Sequence, residues 1–181
     1  TNASIAIHTA EQDATPLIVV IGQVARSDRG RGAFQEIDYS QMFGGIAKGV
    51  WEVLDGRELA GTFATAHAVA VSGTPGPVVL VVPEDVFEDQ VNEAVPERRA
   101  HPRLDPPDDQ VQLVADALAR SARPLLIAGG ALDSPAGRDA LRRAARRHHL
   151  PVALSYKRQD LFDNADPLFA GYLGFKVPRA Q

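Results

Sequence analysis

Runs of consecutive apolar residues mark the strands that the sequence predicts. Four such runs cover residues 17–21, 78–82, 125–128 and 151–154. Each run is too short for an ordinary helix and is typical of a strand buried on both faces, as in a parallel sheet. The segment GVWEV at 49–53 predicts one further short strand.

Helical spacing of apolar residues occupies the intervals between these runs. The predicted helices cover residues 2–13, 38–43, 55–71, 108–118 and 134–149. Each begins at a side chain able to accept a hydrogen bond from the first helical turn, namely Asn2 or Ser4, Asp38 or Ser40, Asp55, Asp108 or Asp109, and Ser134. Alternating helices and buried strands predict an α/β fold, a three-layer αβα arrangement with mostly parallel sheets.

Residues 91–107 interrupt the pattern, since they hold four prolines and several charges without periodicity. This composition predicts a proline-rich linker between two domains, residues 1–90 and 108–181, each a partial Rossmann-like unit. The last thirty residues are predicted to be loop-like. Their aromatic residues are the expected packing anchors: Phe162, Phe169, Tyr172 and Phe175.

Composition excludes several classes of function. Nineteen lysines and arginines against 23 aspartates and glutamates give a net charge of −4, which does not favour a nucleic-acid or membrane surface. The absence of cysteine excludes disulfides and thiolate sites and fits a cytoplasmic protein. The five histidines are scattered, so no metal site is expected from this chain alone. Neither end carries a signal or a closing element, which predicts a fragment of a longer protein.

A long polar loop, GQVARSDRGRGAFQEID at 22–38, follows the first apolar run. Long loops after buried strands often carry function. Gly30-Arg31-Gly32 lies too far beyond the strand to be a phosphate-binding turn. The Gln35 amide can both donate and accept a hydrogen bond without changing charge. Glu36 and Asp38 lie one residue apart, so they are not expected to act as an acid/base pair.

Several segments in this order resemble a known family. They are GQV at 22–24, AFQE at 33–36, GTPGPV at 73–78, Arg123-Pro124, Gly129-Gly130, and AGYLG at 170–174. Together they resemble the thiamine-diphosphate-dependent decarboxylases and carboligases, with acetolactate synthase-like and benzoylformate decarboxylase-like members nearest. The resemblance implies that residues 1–90 are the C-terminal half of a pyrimidine-binding domain. It likewise implies that residues 108–181 are the N-terminal half of the central Rossmann-like domain.

The resemblance also assigns site residues. It implies that Gln35 is catalytic, that Phe34 shapes the substrate pocket, and that Asn2 touches the thiamine pyrimidine. Each assignment has an alternative: Gln35 closes the loop by bonding to local backbone, Phe34 is a core residue, and Asn2 is a plain helix cap.

The resemblance implies an activity that this chain does not complete. It implies an enzyme that decarboxylates or ligates 2-oxo acids with thiamine diphosphate and Mg²⁺, as a homodimer or homotetramer. The activating glutamate and the Gly-Asp-Gly…Asn motif that binds Mg²⁺ are expected outside this chain, which is therefore predicted to be inactive alone. Glu84 departs from the family, because many acetolactate synthases carry a lysine there, and a different 2-oxo acid or acyl substrate fits this departure.

Gly129-Gly130 is a candidate nucleotide-binding turn, since it follows a strand and precedes a helix. The resemblance implies FAD at this place in acetolactate synthases, an adenine nucleotide such as ADP in some decarboxylases, and no ligand in others. Lys157-Arg158 can add positive charge there. A tight turn without a ligand is the alternative reading. A non-catalytic nucleotide-binding or oligomerisation module is the alternative function of the whole chain.

Overall fold

The chain folds into two compact units, Thr1–Arg103 and Leu104–Gln181. A computed structural model describes residues 2–92, 94 and 105–174. Each unit contains one three-stranded, all-parallel sheet. The prediction of an α/β fold with parallel sheets is therefore confirmed. Most of the predicted linker at 91–107, and the predicted anchor Phe175, lie outside the described residues.

The helices and strands follow the predicted order. The helices are α1 Asn2–Gln12, α2 Tyr39–Phe43, α3 Gly56–Val71, α4 Asp108–Arg120 and α5 Pro135–His148. The strands are β1 Leu17–Gln23, β2 Val50–Glu52, β3 Pro77–Pro83, β4 Leu126–Ala128, β5 Val152–Leu154 and β6 Phe169–Tyr172. Among the residues that the structure describes, no helix is both long enough and apolar enough to span a bilayer.

The central strand β3 organises the first unit, where the strand order is β1-β3-β2. Every residue of β3 is buried. Because successive side chains of a strand point to opposite faces, Val79 and Val81 pack with α1 and α2, whereas Val78 and Leu80 pack with α3. The first unit thus has three layers, with helices on both faces of the sheet.

The second unit places β5 between β4 and β6. Its core joins Leu141 and Ala145 of α5 to Val152 and Leu154 of β5. Phe162 is buried in the same cluster and is an anchor, as predicted.

Polar side chains cap three helices where the sequence predicts. Asp38 accepts a hydrogen bond from the Gln41 backbone N–H, and Asp55 accepts one from the Arg57 N–H. Ser134 accepts one from the Gly137 N–H, with Pro135 in the first turn of α5. The cap predicted for α4 is wrong, since the helix follows Pro107 and its two aspartates lie in the first turn. There they complement the helix dipole instead.

Two strand predictions are wrong in their burial. The apolar runs of β1 and β4 predict strands covered on both faces, but both strands lie at sheet edges. Val20 is 53% exposed and Ile127 is 58% exposed. An all-apolar run therefore distinguishes a strand from a loop here, but it does not distinguish a central strand from an edge strand.

The sequence reading also missed β6, which lies in the segment predicted to be loop-like. Its FAGY sequence contains Ala170 and Gly171, and neither residue favours a strand by itself. Gly171 has a positive φ of 102°, and the pairing with β5 is irregular. The strand forms because β5 offers it a parallel partner, which a local pattern does not reveal.

Two valines of the first sheet provide a matched test of the packing. We expect Val79→Ala to lower the free energy of unfolding by about 2 kcal/mol, since the Val79 side chain is fully buried on the face of the sheet that α1 and α2 cover. Val20→Ala on the edge strand should cost less than about 1 kcal/mol. Denaturant unfolding measures both values, and equal losses would contradict the assigned burial.

Candidate functional site

The carboxyl ends of the first unit's strands meet at one edge of its sheet. Gln23 ends β1 and pairs in register with Pro83, which ends β3. The loop of residues 24–38 leaves this edge after β1, and a 3-10 turn, Glu84–Glu88, leaves it after β3. In open parallel sheets this edge is where ligands bind.

The base of the 24–38 loop is held by the buried amide of Gln23, which is only 7% exposed. The Gln23 Nε2 donates to the Ile37 carbonyl oxygen at 2.8 Å, and Oε1 accepts from the Val24 N–H at 3.0 Å. One side chain therefore bonds to both ends of the loop. Its burial is favourable because donor and acceptor are both satisfied.

The side of the loop is held by Arg26. Its Nε donates to Asp85 at 2.7 Å, and its Nη2 donates to Asp89 at 2.8 Å. A third bond runs from Nη1 to the Leu54 carbonyl oxygen at 3.1 Å. Asp89 also accepts from the Gly56 N–H at 2.9 Å. The guanidinium thus ties the loop to the segment after β3 and to the start of α3.

Arg26 and the two aspartates stabilise one another's charged forms, which shifts their pKa values. Bonding to Asp89 and Asp85 raises the pKa of Arg26 above its ordinary value. Bonding to Arg26 lowers the pKa of both aspartates. A carboxyl group whose pKa is lower in the folded than in the unfolded chain stabilises the folded state at a pH above its unfolded pKa. The two aspartates therefore lose this contribution to stability as the pH falls below about 4.

The tip of the loop is closed by Glu36. Its Oε1 accepts from the Gly30 N–H at 2.5 Å, and its Oε2 accepts from the Gly32 N–H at 3.1 Å and the Ala33 N–H at 3.3 Å. The Glu36 N–H donates back to the Ala33 carbonyl oxygen at 3.0 Å. The Gly30 N–H is the main cause of a lowered pKa of the Glu36 carboxyl, with Arg29 adding a favourable charge.

Phe34 and Gln35 are the two central residues of the turn that this bond closes. Phe34 is 89% exposed, so the alternative reading of it as a core residue is wrong. Among the described residues the Gln35 side chain has no hydrogen-bond partner, and Glu36 rather than Gln35 closes the loop. Both side chains line a concave surface that encloses a volume of about 730 Å³. The other residues that line it are Gly22, Gln23, Val24, Asp28, Ala33, Ile37, Tyr39 and Glu84.

Asn2 is the first residue of α1 and is exposed. Only residues 13–16 separate α1 from β1, so the helix runs antiparallel to the strand and its N-terminus lies towards the carboxyl edge of the sheet. Asn2 does not line the concave surface that Phe34 and Gln35 share.

Gly129 and Gly130 lie in the second unit, at the carboxyl end of β4. A 3-10 turn, Gly130–Leu132, connects them to α5, which begins after its cap Ser134 as predicted. Both glycines admit a close neighbour from the segment after β5. A Cβ atom at Gly129 would lie 3.2 Å from Ser155 Oγ, and one at Gly130 would lie 2.9 Å from Arg158 Nε.

Sequence reasoning missed the residues that hold the loop, namely Gln23, Arg26 and Glu36. Arg26 lies 59 positions before its partner Asp85, so no local pattern indicates the pair. Glu36 offered a local signal, since glycines four and six positions before it allow a backbone that folds round a carboxylate. Over the described ranges, no cluster of three or more metal-binding side chains is found.

Residues 111–181 match the family described as the thiamine pyrophosphate enzyme, central domain. Across 96% of its length the chain is 37% identical to the acetolactate synthase large subunit of Parasynechococcus marenigrum, covering 29% of that protein. Across 99% it is 33% identical to the acetolactate synthase isozyme 1 large subunit of Escherichia coli, covering 32%.

Solved structures agree with these relatives. A thiamin diphosphate-dependent enzyme from Mycobacterium smegmatis matches 96% of this chain with a TM-score of 0.86 and 26% identity. The benzoylformate decarboxylase of Polynucleobacter necessarius matches 95% with a TM-score of 0.82 and 30% identity. This chain covers 34% and 33% of those two chains.

The fold and the loop-covered strand edge define an α/β protein with open parallel sheets, a class in which ligands bind at the carboxyl ends of the strands. More specifically, residues 111–181 match the central domain of thiamine pyrophosphate enzymes, and nearly the whole chain is similar to one part of thiamine-diphosphate-dependent enzymes, so the predicted resemblance is confirmed. The chain spans about a third of the length of the relatives that it matches.

Limited proteolysis tests the Arg26 anchor. We expect trypsin to cleave after Arg29 and Arg31 several-fold faster when Asp85→Asn and Asp89→Asn are combined, because the loop then loses its charged partners. Asp116→Asn on α4 removes a carboxylate elsewhere and should leave the rate unchanged. Equal cleavage rates in all three proteins would contradict the assigned role.

Proposed function

We propose that this chain forms part of a thiamine-diphosphate-dependent enzyme that decarboxylates or ligates 2-oxo acids. The observation that carries the proposal is the way in which the 24–38 loop presents Phe34 and Gln35. Other side chains make the bonds that hold the loop, so these two remain directed at the concave surface. The names of the relatives, acetolactate synthase and benzoylformate decarboxylase, support the reaction class.

The residues of the concave surface fit a cofactor and a small substrate. Thiamine diphosphate would supply the electron sink for cleavage and formation of the carbon–carbon bond. Gln35 can donate a hydrogen bond to a substrate oxygen on which charge develops, without exchanging a proton itself. Phe34 offers an exposed apolar ring that contacts the substrate and excludes water. Asn2, at the same edge of the sheet, would bind the pyrimidine ring.

Glu84 narrows the class of substrate. It lines the same concave surface as Gln35. A carboxylate at this wall disfavours an additional anionic group on the substrate, since like charges repel in a partly enclosed site. We therefore propose that the donor or acceptor substrate carries a neutral or cationic group at its distal end. Glu84 stands at the position where many acetolactate synthases carry a lysine.

We further propose the domain assignment that the resemblance implies. Residues 1–90 would supply half of a pyrimidine-binding domain, residues 91–107 the linker, and residues 108–181 half of the central domain. The Mg²⁺ ion and the diphosphate would be bound by residues outside this chain. The assembly would be a cytoplasmic homodimer or homotetramer, to which the exposed Phe34 is suited as a contact residue.

A nucleotide, FAD or ADP, is the second proposed ligand, and it concerns the second unit alone. Gly129 and Gly130 lie at the carboxyl end of β4. Because they have no side chains, a diphosphate can approach their backbone closely. The Arg158 guanidinium lies directly against Gly130, so a positive charge is available at that point. This arrangement also supports the alternative of a nucleotide-binding module without catalysis.

Substitution of Gln35 tests the catalytic proposal in the enzyme that contains this chain. We expect Gln35→Ala to lower kcat/KM by about 100-fold, because a donor to the developing charge is lost. Steady-state kinetics with a panel of 2-oxo acids measures this. Phe34→Ala should change the preference among donors more than the rate with any one of them.

Gln12→Ala is the matched control, since Gln12 lies at the other end of α1, away from the carboxyl edge. It should leave the kinetics unchanged. Turnover of every accepted donor at the wild-type rate by Gln35→Ala would show that the assignment of Gln35 is wrong.

Calorimetry tests the nucleotide proposal. We expect FAD or ADP to bind the enzyme with micromolar affinity, and Arg158→Met to weaken that binding about tenfold through loss of a charged donor. Gly130→Val should weaken it as well, because the added side chain meets the Arg158 guanidinium.

Arg143→Met is the control for charge alone, since Arg143 lies on an exposed face of α5. Binding that is absent for both nucleotides, or unchanged by Arg158→Met, would contradict a nucleotide site at this turn. Nucleotide binding without activity on any 2-oxo acid would favour the non-catalytic module.

A further inference from the structure

The turn that carries Phe34 and Gln35 has an unusual backbone. Three residues at the loop tip have positive φ values: Gly30 at 75°, Gly32 at 68° and Gln35 at 70°. Glycine adopts this conformation without penalty, whereas a residue with a Cβ atom pays about 1 kcal/mol. Gln35 occupies the third position of its turn, where a positive φ normally selects Gly or Asn. Its conformation therefore needs support from neighbouring bonds.

Glu36 supplies bonds of the required kind. Its carboxylate accepts from the backbone N–H groups of Gly30, Gly32 and Ala33, the last of which opens the turn. Successive backbone N–H groups that converge in this way form an anion-binding concavity. Here the concavity is filled by the chain's own carboxylate, so Gly30-Arg31-Gly32 is not a phosphate loop. The Glu36 side chain thus bonds to Ala33 at the start of the turn, and the Glu36 backbone N–H closes the turn on the Ala33 carbonyl oxygen.

The hydrogen bonds to this carboxylate, together with the charge of Arg29, keep it ionised. The backbone N–H groups hold the pKa of Glu36 below its usual range, and Arg29 contributes in the same direction. Arg29 itself pairs with Glu52 of β2 at 2.5 Å. A carboxylate held in this state is a poor proton donor near neutral pH. Both of its oxygens are already engaged, so it is not available as a general base either.

We propose that Glu36 is the positioning residue of the site, which acts on the reaction through Gln35 by fixing the turn that aims Phe34 and Gln35 at the concave surface. This rests on the proposed function of Gln35. Glu36 does not touch the substrate. It sets the direction of two neighbours, and small displacements of such groups cost rate more than affinity.

A double-mutant cycle in the enzyme that contains this chain tests the proposal. Its members are Gln35→Ala, Glu36→Gln and the double variant, assayed with cofactor and a 2-oxo acid donor. We expect Glu36→Gln to lower kcat about tenfold or more while the KM for thiamine diphosphate stays unchanged. The double variant should be no slower than Gln35→Ala alone, since Glu36 has nothing further to position. Glu36→Asp, which keeps the charge, should recover part of the rate.

Hydrogen exchange supplies a readout that does not depend on the reaction. Glu36→Gln should speed the exchange of the Gly30, Gly32 and Ala33 amides, because their common acceptor loses its charge. The Val24 amide, which bonds to Gln23, is the internal control and should be unaffected.

The outcomes separate this proposal from the proposed function. A slow Gln35→Ala variant together with a fully active Glu36→Gln variant would overturn the positioning role. Losses that multiply in the double variant would also overturn it, since the two residues would then act independently. A fully active Gln35→Ala variant would instead refute the assigned function of Gln35. In that case unchanged amide exchange in Glu36→Gln would refute the anchoring as well.

Discussion

A long loop can carry a defined side-chain geometry only if its two ends are fixed, and the Gln23 amide provides that constraint. It lies at the last residue of β1 and bonds to Val24 and Ile37, on either side of the loop. Its partner in the sheet register is Pro83, at the end of the fully buried strand β3. The loop therefore takes its position from the most deeply packed strand of the first unit.

The bonds of this region show a division of labour. The anchoring side chains, Gln23, Arg26 and Glu36, use their polar atoms on other parts of the loop and its surroundings. Phe34 has no polar side-chain atom, and the Gln35 amide makes no hydrogen bond among the described residues, although both residues lie between the anchors. Anchoring costs free energy to desolvate charges, and short bonds in a partly enclosed setting offset that cost. The consequence is an anchored loop in which these two side chains take no part in the anchoring.

Much of the fold could be predicted from local patterns, because the apolar runs and the capping aspartates act over a few residues. Asp55 and Ser134 begin helices where the sequence indicates, and β3 is buried as its pattern predicts. Burial of β1 could not be predicted, since its edge position depends on the strand order. β6 was missed because it depends on β5 for its partner.

The candidate site was predictable to a different extent. Phe34 and Gln35 were assigned from the resemblance alone, and their roles stay proposals. The exposure of Phe34 could not be foreseen, because the position of an aromatic residue in a polar loop does not decide whether its ring is packed or exposed. The partners of Arg26 lie far away in sequence, so only the folded chain brings them together. The clamp by Glu36 follows from backbone conformations that a sequence pattern does not specify.

The extreme exposure of Phe34 has a consequence for evolution and engineering. A side chain that contributes so little to the packed interior of the chain can be exchanged with little effect on folding. If Phe34 contacts the substrate as proposed, position 34 is free to diverge under selection for new substrates while the anchors preserve the scaffold. A saturation library at this single codon would sample altered selectivity without first having to recover lost stability.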